Sequence, residues 1–120
     1  MTPCPLDPSV GLILVEPGQV DGLDFRKSHA LAVYGEDVEQ PLILLDATVL
    51  KEKWFTDDHL LVVLAHELGH IHSASESEDL ADLVGMMLLL RQGHVDAVEL
   101  HIREYKARMA GGHYQKEEAA

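Results

Sequence analysis

The chain lacks the features that define several large classes of protein. It has one cysteine, Cys4, so an intramolecular disulfide framework is excluded and a reducing compartment is expected. Between Trp54 and Leu90 there is no Lys or Arg. A surface that grips phosphates needs clustered cations, so the main body is not expected to bind nucleic acid. No apolar run approaches the ~20 residues of a membrane-spanning helix, and no basic segment precedes an apolar run of signal-peptide length. The expectation is a cytoplasmic protein without a membrane or nucleic-acid partner.

What is present suits one compact domain. The chain has 120 residues, 47% of them hydrophobic, enough to bury a core. Its net charge of −12 is uneven: residues 1–90 carry 16 Asp/Glu against 4 Lys/Arg, and residues 91–120 carry 5 of each. Such a field serves solubility, and it also favours a bound cation and basic peptide segments.

Taken in order, the chain reads as α+β. Pro3, Pro5 and Pro8 mark residues 1–9 as a flexible arm, which carries Cys4. Val10–Val15, His29–Tyr34 and Leu42–Leu45 are short apolar runs that predict about three strands, the last two joined by turn chemistry at Gly35-Glu36-Asp37. Gln19 to Lys27 reads as a loop or one helical turn. Thr56 predicts an N-cap, with Asp57 and Asp58 favouring the positive end of a helix that runs to about Ile71. A second helix is expected from about Glu76 to Arg91, stopped by Gly93. A third starts near His94, with Val95, Val98, Ile102, Tyr105 and Met109 on one face. Residues 111–120 read as a flexible tail.

The first expected helix carries Ala65-His66-Glu67-Leu68-Gly69-His70, an H-E-x-x-H pattern. Histidines four apart share one helix face, so His66 and His70 can reach one metal ion, and imidazole nitrogen suits zinc. Glu67 flanks that face, where it can take a proton from a zinc-bound water. His72 lies about 200° around the helix from His70 and cannot share the metal. It reads as a helix-end histidine.

A catalytic zinc usually takes a third protein ligand, and Glu76, Glu78 and Asp79 compete for the role. If the first two helices form an antiparallel hairpin centred on Ala74, residue 70 faces 78 and residue 66 faces 82. Glu78 then arrives beside His70, and Asp82 beside His66. Ala81, on the same face, is small enough to let the helices approach. Glu76 lies about 200° around the helix from Glu78 and points away. Both Ser73-x-x-Glu76 and Ser75-x-x-Glu78 fit a capping box, which is the plainer use of these glutamates.

His66-Glu67-x-x-His70 followed by Glu78-x-x-Ala81-Asp82 resembles the gluzincin signature. More narrowly, Pro41 to Leu90 is similar to the compact minigluzincins and to the H-E-x-x-H peptidase family of stress-response and phage-repressor-cleaving regulators. The resemblance implies a zinc metallopeptidase with a small sheet, an active-site helix and a glutamate helix, to which the periodicity after His94 adds a C-terminal helix packed on the same sheet. It implies His66, His70 and Glu78 as zinc ligands, Glu67 as the base, and Asp82 orienting His66 from the second shell. Its partner would be a peptide or protein substrate, and the expectation is that this lies extended along an edge strand. An oxyanion donor is expected among His94, His101, Tyr105, His113 and Tyr114. The metzincin pattern would need Gly and His where this chain has Ser73 and Glu76. A regulatory or protein-binding domain with a structural or vestigial zinc site is the alternative, which the intact Glu67 disfavours.

Overall fold

The structure, a computed structural model, describes residues 1–16, 18–20, 25 and 29–110, with only the backbone of Arg108. Its elements are β1 (Thr2–Cys4), β2 (Asp7–Val15), β3 (Ala30–Val33), β4 (Leu42–Asp46), a 3-10 turn at Ala47–Lys51, α1 (Asp57–Ser73), α2 (Glu78–Arg91) and α3 (Val95–Met109). The class is α+β, as expected. The expected loop from Gln19 to Lys27 and the expected tail at 111–120 lie largely or wholly outside the described residues.

The sheet has four strands, in the order β1-β2-β4-β3. The additional strand is β1, in the stretch expected to be a flexible arm. It pairs antiparallel with β2, Thr2 opposite Leu12 and Pro3 opposite Gly11, with a register shift between Pro3 and Cys4. Proline is tolerated on an edge strand or at a bulge, because the N–H it lacks is not needed for the ladder. Pro8 sits near the start of β2 and ends nothing. Pro3 thus lies on an edge strand, Pro5 in the turn between β1 and β2, and Pro8 in β2 ahead of its pairing with β4, which starts at Gly11.

β2 and β4 are parallel, with Leu12 beside Ile43 and Leu14 beside Leu45. β3 and β4 form the expected hairpin, Ala30 opposite Leu45 and Val33 opposite Leu42. The turn between them uses Gly35 at φ 127°, a conformation that side chains resist. β3 is thereby left as an edge with one side unpaired by any strand among the described residues.

Alternation along the strands sends Val10, Ile43, Leu45 and Ala30 into the core. There they meet Leu64, Ala65 and Leu68 of α1, Leu88 and Leu89 of α2, and Ala97, Val98 and Leu100 of α3. α1 lies against β3 and β4 on one side and against α2 and α3 on the other. That position explains why Leu60 to Ala65 shows no polar face. No helix among the described residues is long and apolar enough to cross a membrane.

The helix ends follow local chemistry. Thr56 caps α1 as expected, and His59 takes the reciprocal place in the box: its Nδ1 accepts from Thr56 N at 3.2 Å. α1 ends at Ala74, which adopts the left-handed conformation at φ 52°. α2 starts two residues later than expected. Its N-cap is Ser77, whose Oγ accepts from Leu80 N at 3.2 Å, so neither Ser73 nor Ser75 caps it. Glu78 is thus the first residue of α2.

Cys4 is fully buried in the core cluster, and burial pushes its thiol above the usual value. A thiol-specific reagent at mildly alkaline pH is therefore expected to label the native protein far more slowly than the urea-unfolded chain. Cys4→Ser should cost ~1–3 kcal/mol in urea unfolding, since it puts a hydroxyl in an apolar site. Rapid labelling of the folded protein would show that β1 is not docked.

Candidate metal centre

The site depends first on how closely α1 and α2 approach. Gly69 faces the backbone of Ala81, and a Cβ on Gly69 would collide with the Ala81 carbonyl. One turn further along, Gly85 faces Ala65, and a Cβ there would stand 2.5 Å from the Ala65 carbonyl oxygen. Two glycines and two alanines thus bring the helix backbones into contact. The hairpin turns at Ala74, and the expected pairing of 66 with 82 and of 70 with 78 follows.

Asp82 Oδ1 lies 2.6 Å from His66 Nδ1, and Ser75 O lies 2.8 Å from His70 Nδ1. A carbonyl can only accept, as can an ionised carboxylate, so each ring carries its hydrogen on Nδ1. Each Nε2 is then left with a lone pair. Both point toward Glu78, whose Oε1 is 2.8 Å from His66 Nε2 and 3.3 Å from His70 Nε2.

Two imidazole lone pairs and a carboxylate oxygen facing one another make an electron-rich cluster that calls for a cation or a proton between them. His66, His70 and Glu78 could hold a metal ion: one donor atom from each lies within 4.8 Å of the others. Ligand atoms around a tetrahedral zinc are separated by roughly 3.3 Å, and Glu78 Oε1 stands 2.8 and 3.3 Å from the two Nε2 atoms. The remaining nitrogen of each histidine is already engaged, as metal-bound histidines usually require. Burial raises the Glu78 carboxyl, but His66 and His70, when their Nε2 atoms are protonated, outweigh it by hydrogen bond and charge and hold the group below the usual range; a cation between the donors would take the place of those protons.

Glu67 is buried, 7% exposed, on the flank of the same helix. Burial pushes its carboxyl up; His66 and His70 oppose this, Glu78 adds to it, and a hydrogen bond from the backbone of Ala32 opposes it. The net direction is upward, and a cation on the three donors would draw it back down. The Ala32 contact ties Glu67 to β3.

His72 and Glu76 do not join the cluster. His72 Nε2 reaches across to Asp7 Oδ2 of β2 at 2.8 Å. Glu76 lines an open cavity of about 360 Å³ with Ala32, Val33 and Tyr34, between the end of β3 and the start of α2.

Among the expected oxyanion donors, His101 is placed differently. It is buried, with Nε2 3.5 Å from Asp82 Oδ1, behind the ligands. Burial first, then the charge of His66, lowers its pKa to about 4, so the ring is neutral. His113 and Tyr114 lie outside the described residues.

Tyr34 was not singled out from the sequence. Its hydroxyl donates to Ser75 O at 3.0 Å, the same carbonyl that accepts from His70. Partial burial and then the charges of Glu76, Glu67 and Glu78 push its phenol above the usual value. Its one sequence signal was its place at the end of the edge strand.

Comparison with protein-family models, with curated proteins and with solved structures gives no match to this chain.

Two outcomes test the geometry. His66→Ala, His70→Ala and Glu78→Ala should each lose stoichiometric zinc on dialysis, whereas His72→Ala and Glu76→Ala should retain it. Loss in Glu76→Ala with retention in Glu78→Ala would contradict the pairing. Gly→Ala in a helix normally stabilises by about 1 kcal/mol. Here Gly69→Ala and Gly85→Ala should instead destabilise by ~1–3 kcal/mol and weaken zinc binding, because the helices must part. A higher urea midpoint for either variant would remove the close contact from the account.

Proposed function

We propose that this protein is a zinc-dependent endopeptidase of the gluzincin type. The observation that carries the reading is the combination of three converging metal-donor atoms with a buried carboxylate, Glu67, beside an open sheet edge. A purely structural metal site has no need of that carboxylate. Zinc held by His66, His70 and Glu78 would supply Lewis-acid polarisation of the scissile carbonyl and acidify water.

The chain's own residues do the rest. Glu67, buried on the flank of the motif helix, accepts the proton of the attacking water and delivers it to the leaving amine. Asp82 fixes the His66 ring and its tautomer, and the Ser75 carbonyl does the same for His70.

β3 suits an extended substrate. In its ladder Asp46 N donates to His29 O, so hydrogen-bonded pairs alternate from that point and the polar groups of Ala32 turn away from β4. The Ala32 N–H is taken by Glu67, and its carbonyl faces the side on which a peptide strand could add. A peptide lying there passes Glu67 on its way to the metal-binding atoms. The carboxylate of Glu76 beside this groove favours basic segments in the substrate. The single buried thiol, Cys4, is compatible with a cytoplasmic setting.

The test is paired cleavage of an unstructured, fluorogenic peptide pool by the zinc-loaded parent and Glu67→Gln. Glu67→Gln should keep its zinc and lose ~10²–10⁴-fold in kcat/KM. Equal cleavage by both would remove Glu67 as the base, and no cleavage by either would favour a binding domain.

A further inference from the structure

α3 supplies no metal-donor atom, yet one of its side chains reaches the site from behind. His101 is 4% exposed, and the carboxylate it approaches, Asp82, is 6% exposed. A buried carboxylate needs donors to replace water. His66 Nδ1–H is one, at 2.6 Å from Oδ1, and His101 Nε2 stands 3.5 Å from the same oxygen.

The other face of the His101 ring fixes which nitrogen bears the hydrogen. Nδ1 is buried and has no hydrogen-bond partner. An orphaned buried N–H is costlier than an orphaned acceptor, so the hydrogen belongs on Nε2, facing Asp82. His101 and His66 therefore converge on one carboxylate oxygen from different helices.

We propose that His101 is a positioning residue for the metal centre, holding Asp82 in the orientation that directs the Nε2 lone pair of His66 toward Glu78. The inference rests on the metal-centre reading and assigns α3 a part in it. At 3.5 Å the contact is long, and binding of a cation in front of His66 is expected to draw the series together, since it strengthens His66 as a donor to Asp82. Asp82 without His101 would keep its bond to His66 but lose a restraint on the carboxylate's rotation.

Zinc affinity, measured by competition with a chromogenic chelator, tests the proposal, with urea unfolding of the zinc-free proteins as the control for folding. His101→Leu should weaken zinc by about tenfold, while His101→Gln, whose amide nitrogen can stand where Nε2 stands, should stay within about threefold of the parent. In an Asp82→Ala background His101→Leu should change affinity by less than about twofold, because the residue it acts through is gone. Should the leucine variant fail to fold, His101→Asn, which reaches only the Nδ1 position, is expected to bind zinc like a loss variant and His101→Gln like the parent. Parent-like affinity in His101→Leu, full additivity with Asp82→Ala, or indistinguishable Asn and Gln variants would overturn the proposal while leaving the metal centre intact. Absence of zinc binding by the parent would overturn the metal centre itself, and this inference with it.

Discussion

The backbone contact between α1 and α2 is the constraint on which the rest of the structure depends. Gly69 against Ala81 and Gly85 against Ala65 leave no room for a side chain between the helices. Only at that separation can Asp82 reach His66 at 2.6 Å and can one carboxylate oxygen of Glu78 meet two imidazole nitrogens. A wider hairpin would preserve the fold class and lose the cluster. The two glycines forgo about 1 kcal/mol each in helix propensity, a cost offset by the packing they allow.

The sheet's contribution is different in kind. β1 and the β2–β4 pairing bury one face of the sheet against the helices, while β3 remains an edge. Because α1 packs on β3, the acidic side chain following the first histidine meets the backbone of Ala32. The metal-donor atoms, the buried carboxylate and the open edge are therefore neighbours as a consequence of packing. Tyr34, one residue beyond β3, adds a second link to the α1–α2 turn through Ser75.

Much of this was legible in the sequence because it is set by periodicity. Spacing of four put His66 and His70 on one face, and a hairpin about Ala74 paired 70 with 78 and 66 with 82. The parts that were not legible depend on tertiary context. Prolines at 3, 5 and 8 all look like loop chemistry until Pro3 is seen on the edge strand β1 and Pro8 in β2 ahead of its pairing with β4; of the three, Pro5 alone lies in a turn. Glu78 could be a capping residue until Ser77 is seen to cap α2. Gly69 and Gly85 look like weak points in helices until their facing carbonyls are known. His101 stood among histidine and tyrosine oxyanion candidates alike, and its burial behind Asp82 separates it from the described ones, His94 and Tyr105.

The central claim is that His66, His70 and Glu78 form a single metal centre. X-ray absorption at the zinc edge, on full-length protein loaded with one equivalent of zinc, reports the ligands directly. The account predicts four or five nitrogen and oxygen neighbours at about 2.0–2.2 Å, with the outer-shell scattering of two imidazole rings. A six-oxygen shell, a sulfur neighbour, or the signature of fewer than two imidazoles would contradict it.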